Sequence, residues 1–130
     1  MERLLYLFLG AAYLLVWIQL TLLHWRGAFH HRMMWGPVVV TPIVVLAAVA
    51  LGLSRQDATA TLFNAAFAIA TVVGLIGTYY HLRGVASQVG GFTLRNAATG
   101  PPPVLPLIYS ALGAFGLIVN AWPQIAGRVG

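Results

Sequence analysis

Thr21-Leu22-Leu23-His24-Trp25-Arg26-Gly27 returns 57 residues later as Thr78-Tyr79-Tyr80-His81-Leu82-Arg83-Gly84, and each copy leads into a proline-initiated apolar run. After the first copy come Gly36-Pro37, Pro42 and a run to Gly52; after the second come Gly100-Pro101, Pro106 and a run to Gly116. Gly-Pro and the next proline are spaced alike in both, and only the loop inside the second copy is longer. Self-similarity at this period makes a pair of apolar segments, used twice, the unit of architecture.

Those segments are long. The chain is 60% hydrophobic and 7% charged over 130 residues, more apolar surface than a water-soluble core of this size can hide, so lipid is the expected solvent. Crossing a hydrocarbon core of ~30 Å takes about 20 residues of helix. Four stretches qualify: roughly Leu4 to Leu23, Val38 to Leu53, Ala60 to Tyr80 and Val104 to Trp122, the second being the shortest. The first begins with Glu2 and lacks a small-residue cleavage site, so it reads as a span rather than a signal peptide. The expected fold is an all-α integral membrane domain over residues 1–130: four transmembrane helices built as a tandem repeat of two helical hairpins, about 4–53 and about 60–122.

Four spans put the loops after the first and third on one side. His24, His30, His31 and His81 fall there with Arg26, Arg32, Arg83 and Arg95, while Glu2 and Asp57, the only acids, fall on the other side. Arginine counts favour the histidine side four to three, which leans toward a cytoplasmic histidine face. The expected location is a bacterial inner membrane. Because the net charge of +5 comes from scattered arginines at span ends, it suits lipid headgroups and not nucleic acid. Cysteine is absent, which removes thiolate cofactors, disulfides and a thiol nucleophile.

Asn64, Phe67, Thr71, Gly74, Thr78 and His81 recur at alternating spacings of three and four along one seam of the third span. The fourth span carries a matching seam of Tyr109, Gly113, Gly116 and Asn120. Small and hydroxyl residues let helices approach closely in lipid. Asn64 and Asn120 lie at comparable depth, and their amides are expected to meet, since a lone amide facing lipid costs several kcal/mol, roughly.

Pro37 and Pro101 to Pro103 suit helix starts. Pro42 and Pro106 lie deeper, where each either occupies a first turn or kinks its span near the histidine face. Two crossings per copy make the repeat parallel, with a pseudo-two-fold axis along the membrane normal that relates His24 to His81.

His-x-Arg-Gly has two readings. One is local: His and Arg complement the negative end of a helix dipole, and Gly supplies a left-handed cap. In the other, His24 and His81 hold one ligand, with Arg26 and Arg83 facing its anionic groups. A b-type haem fits that outline, with histidines as axial ligands and arginines for the propionates. A quinone headgroup or a chlorophyll magnesium needs only one histidine.

His30 and His31 stand in a short linker with Met33 and Met34, flanked by Trp25 and Trp35. It reads as an interfacial segment with an aromatic belt and its methionines in lipid. The alternative is a copper or zinc site built from His24, His30 or His31 and His81. The second loop, Val85 to Thr99, holds Gly90-Gly91, Phe92, Arg95 and Asn96, and reads as a segment lying on the membrane or docking a partner. Gly90-Gly91 lacks the strand, lysine and helix start of a phosphate site.

No ionisable group beyond tyrosine lies within the spans, which argues against autonomous ion-coupled transport. No serine–histidine–acid set or carboxylate pair is present, so the chain reads as a non-catalytic subunit. The expected function is a small membrane anchor or accessory subunit of a respiratory or other electron-transfer assembly, docking other subunits at its histidine and arginine face. Alternatives are a b-type haem or quinone protein using His24 and His81, and a metal-handling protein. Four-span anchors of respiratory dehydrogenases and small b-type cytochromes share this outline, an analogy of architecture that transfers no residues.

Overall fold

The computed structural model describes residues 1–129. Five α-helices follow in order: α1 Glu2–Arg26, α2 Trp35–Leu53, α3 Asp57–Ala86, α4 Leu94–Thr99 and α5 Val104–Val129, with a 3-10 turn at Arg32–Met34 leading into α2. Helices α1, α2, α3 and α5 are each long and apolar enough to cross a membrane. No strand occurs among the described residues. Helix α1 packs chiefly on α2 and α3 chiefly on α5; α2 then meets α3 and α1 meets α5, closing a four-helix ring.

The ends of the ring are pinned by chemistry visible in the chain. Glu2 at the start of α1 pairs with Arg55 in the turn between α2 and α3, Oε2 to Nη1 2.5 Å. At the start of α3, Thr59 Oγ1 accepts from the Gln56 amide, while the Gln56 side chain accepts in return from the first turn. This acid-bearing end lies opposite the histidine end, because α1 and α3 each run from an acid to a histidine.

Tyrosines fill the core. Tyr6, Tyr13 and Tyr109 are buried with Phe63 and Phe67. Tyr13 packs edge-on against Phe67 at 5.4 Å and against Tyr109 at 5.0 Å, and Tyr6 packs edge-on against Phe63 at 5.2 Å. Such pairs contribute about 0.5–1.5 kcal/mol each beyond area burial. A buried hydroxyl needs a partner, and each finds one on another helix. Tyr13 donates to the Tyr109 carbonyl at 2.8 Å, and the Tyr109 hydroxyl meets Thr41 Oγ1 at 2.9 Å. One hub thus joins α1, α2 and α5, with Phe67 of α3 against it.

The α3–α5 seam is a close approach of backbones. A Cβ on Gly74 would lie 2.6 Å from the Ser110 amide nitrogen, so only glycine fits there. Ser110 Oγ donates to the Thr71 carbonyl at 2.7 Å. Gly113 faces Thr71 and Phe67, and Gly116 faces the Phe67 ring. At the rim, Asn120 Nδ2 donates to Asn64 Oδ1 at 2.8 Å, and the Tyr6 hydroxyl donates to Asn120 Oδ1 at 3.0 Å.

The two copies differ at their prolines. Pro42 sits inside α2 and removes the N–H that the Val38 carbonyl would accept; Trp17 Nε1 donates to that oxygen instead, at 2.9 Å. Pro106 lies in the first turn of α5, where a missing N–H is harmless. Equivalent kinks in both hairpins are therefore not what the chain forms. At the other end of α5, Pro123 lies inside the helix, which continues past Trp122.

Candidate functional site at the histidine end

Helix α1 ends with its cap one residue later than the glycine predicts. Gly27 has φ −81° and is not left-handed; Ala28 (φ 57°) and Phe29 (φ 46°) are. Ala28 N–H donates to the Trp25 carbonyl at 2.8 Å and Phe29 N–H to the His24 carbonyl at 3.0 Å, the two bonds of a Schellman cap. A Cβ on Gly27 would stand 3.2 Å from Met34 Cε, the flexible end of a side chain that can give way. Gly84 is not a cap either, for α3 runs on to Ala86. Its Cβ would meet Pro101 Cγ at 2.8 Å. Gly84 therefore admits the chain entering α5, and the left-handed-cap reading of both glycines is overturned.

Where the two glycines and the two proline-rich entries meet, a cavity of about 430 Å³ lies between the four long helices. His24, His30, His31 and His81 all line it, with Met33, Met34 and Tyr80 beside them, Pro37, Pro101, Pro102 and Pro106 around the entries, and Leu20, Val73, Gly74, Gly77 and Tyr109 deeper in. Its volume falls within the range of roughly 300–1,000 Å³ typical of small-molecule sites, and its make-up of apolar walls with a few polar groups is theirs too. Met33 and Met34 were expected in lipid; both line the cavity.

Each histidine is held differently. His81 Nδ1 donates to the Pro102 carbonyl at 2.8 Å, and His30 Nδ1 donates to the Gly27 carbonyl at 2.8 Å. His31 Nδ1 instead accepts from the Met33 amide at 3.2 Å, and its ring lies 5.2 Å from that of Tyr80. His24 Nδ1 is buried without a partner, as is Thr21 Oγ1 one turn earlier. Thr78, the repeat partner of Thr21, donates to the Gly74 carbonyl at 2.8 Å.

The arginines of the motif stand apart. Arg26 and Arg83 are exposed and line no part of the cavity. Arg26 lies on the outer side of α1 with Gln19, Leu22 and Trp25. Two residues along a helix is a rotation of about 200°, so a histidine facing inward sends the arginine after next outward. The helical period of the motif carries that signal.

The donor set separates the ligands considered. A haem would find imidazoles, two of them oriented by carbonyls as metal-bound histidines commonly are, but no cation among the described residues that line the cavity for its propionates. Among the described residues no three or more His, Asp or Glu side chains gather closely enough to hold a metal ion. A neutral ring bearing hydrogen-bonding groups meets both the apolar walls and the imidazoles.

The second loop is built, not slack. Gly90 and Gly91 have φ 89° and 65°, and Asn96 Nδ2 donates to the Val89 and Gly91 carbonyls at 3.0 and 2.7 Å. Thr93 Oγ1 accepts from the Asn96 amide at the start of α4. The turn holds Val89, Phe92 and Leu94 outward, all exposed, with Arg95 exposed next to Leu94. Comparison of the chain with protein-family models, with curated proteins and with solved structures finds no match.

Proposed function

We propose that the chain is a four-span integral membrane protein, a tandem repeat of two helical hairpins, which holds a quinone-type ring in its histidine-lined cavity as an accessory subunit of a membrane electron-transfer assembly. One observation carries this reading: all four histidines line a single, largely apolar cavity between the long helices. A quinone with an isoprenoid tail partitions into lipid, which accords with the cavity's apolar walls.

The subunit role rests on what accompanies the cavity. Among the described residues that line it there is no carboxylate, and in this reading a partner subunit exchanges electrons with the bound ring. Val89, Phe92 and Leu94, with Arg83 and Arg95 at the same end, offer a surface for that partner or for lipid headgroups. The arginine balance supports a cytoplasmic orientation of this end in a bacterial inner membrane.

The test is to purify the protein in mild detergent and extract it with organic solvent. Chromatography of the extract is expected to find quinone in near-stoichiometric amount with wild type and much less with Gly77→Leu, which fills the cavity. A b-type absorption band lost in His24→Ala or His81→Ala would replace this reading with haem.

A further inference from the structure

Resting on that reading, we infer that the site selects the reduced, hydroxyl-bearing form of the ring, a quinol, over the oxidised quinone. A carbonyl oxygen only accepts, so the ring nitrogen facing it must carry the proton. His81 Nδ1, bonded to the Pro102 carbonyl at 2.8 Å, is therefore the protonated nitrogen. In the neutral ring Nε2 then holds a lone pair and can only accept. The same holds for His30, whose Nδ1 is bonded to the Gly27 carbonyl. His31 is the opposite tautomer, because its Nδ1 accepts from the Met33 amide and Nε2 must carry the proton.

The half-buried His81 thus presents an acceptor to the cavity, while His30 and His31, both exposed, add an acceptor and a donor at its outer edge. A hydroxyl is both donor and acceptor and satisfies either kind of imidazole. A quinone carbonyl can bond only to the exposed His31 and leaves the lone pair of the half-buried His81 unpaired against the apolar wall. Both acceptor tautomers are imposed by backbone. The Pro102 carbonyl precedes α5, and the Gly27 carbonyl follows α1, so neither is taken within its helix.

The experiment is an anaerobic calorimetric titration of the detergent-solubilised full chain with a short-chain benzoquinol and, separately, with its quinone. About tenfold tighter binding of the quinol is expected, the equivalent of one hydrogen bond made or left unmade in an apolar site. His81→Ala should bring the two affinities together. Nitrogen NMR of the histidine rings provides a readout that needs no ligand and no variant: His81 and His30 are expected protonated at Nδ1 and bare at Nε2. Equal affinities, a preference for quinone, or an Nε2-protonated His81 would overturn the inference while leaving a quinone site intact. If neither form binds, the cavity reading falls with it.

Discussion

Trp17 and Val38 are joined across the first hairpin by the indole N–H of α1 and a carbonyl of α2, 2.9 Å apart. The bond exists because Pro42 cannot donate to that carbonyl. Trp17→Phe should therefore cost about 1–3 kcal/mol, the penalty of a buried acceptor left unpaired. In a Pro42→Ala background, where residue 42 regains its N–H, the penalty should fall to less than half. Unfolding titrations in detergent micelles measure both, and an equal penalty in the two backgrounds would show that the indole acts by packing alone.

Ala28 occupies the left-handed position of the cap that ends α1. An L-residue there costs about 1–2 kcal/mol that glycine avoids. Ala28→Gly is expected to raise the unfolding midpoint, with a gain of about 1 kcal/mol. Gly27→Ala should be milder than a cap glycine would suggest, since its φ is ordinary and the obstructing atom is the far end of Met34. The reverse ranking of the two variants would restore Gly27 as the cap.

The α3–α5 seam should tolerate no side chain at Gly74. Gly74→Ala sets a Cβ against the Ser110 backbone and should cost about 1–3 kcal/mol through separation of the helices. Gly36→Ala, with nothing within 4 Å of the new methyl, is the matched control and should be near neutral. Similar unfolding midpoints for the two variants would mean that α3 and α5 do not approach as closely as described.

Asn120 bonds both Asn64 and Tyr6, whereas Asn64 bonds only Asn120. Side-chain hydrogen bonds between membrane helices average about 0.6 kcal/mol and reach about 1.7. Asn120→Ala should then cost about twice as much as Asn64→Ala, and the double variant no more than Asn120→Ala plus about 0.3 kcal/mol. Additive losses would show that the two amides act separately.

The long helices were legible because apolar length is a strong signal, and the α3–α5 seam because small residues recur at helical spacing. The tyrosine hub was not. Tyr13, Thr41 and Tyr109 come from three helices, and no local pattern ties them together. Nor did the sequence disclose the Trp17 bond, which depends on how deep Pro42 sits in α2. The cap lies one residue beyond Gly27, at Ala28, a shift that no residue pattern announces. At the candidate site the four histidines could be placed at one end by counting spans. That they line one cavity depends on a linker whose fold is set by His30 and His31 bonding their own backbone.

The most direct measurement is photolabelling in native membranes with an azido-quinone, followed by mass spectrometry of the labelled peptides. The account predicts crosslinks confined to the cavity, at Met33, Met34, Tyr80 or His81, and protection by excess unmodified quinol. Labels spread along outward residues such as Phe8, Leu15 and Phe115, unaffected by competitor, would mean that the ring merely dissolves around the helices and that the histidine cavity holds something else.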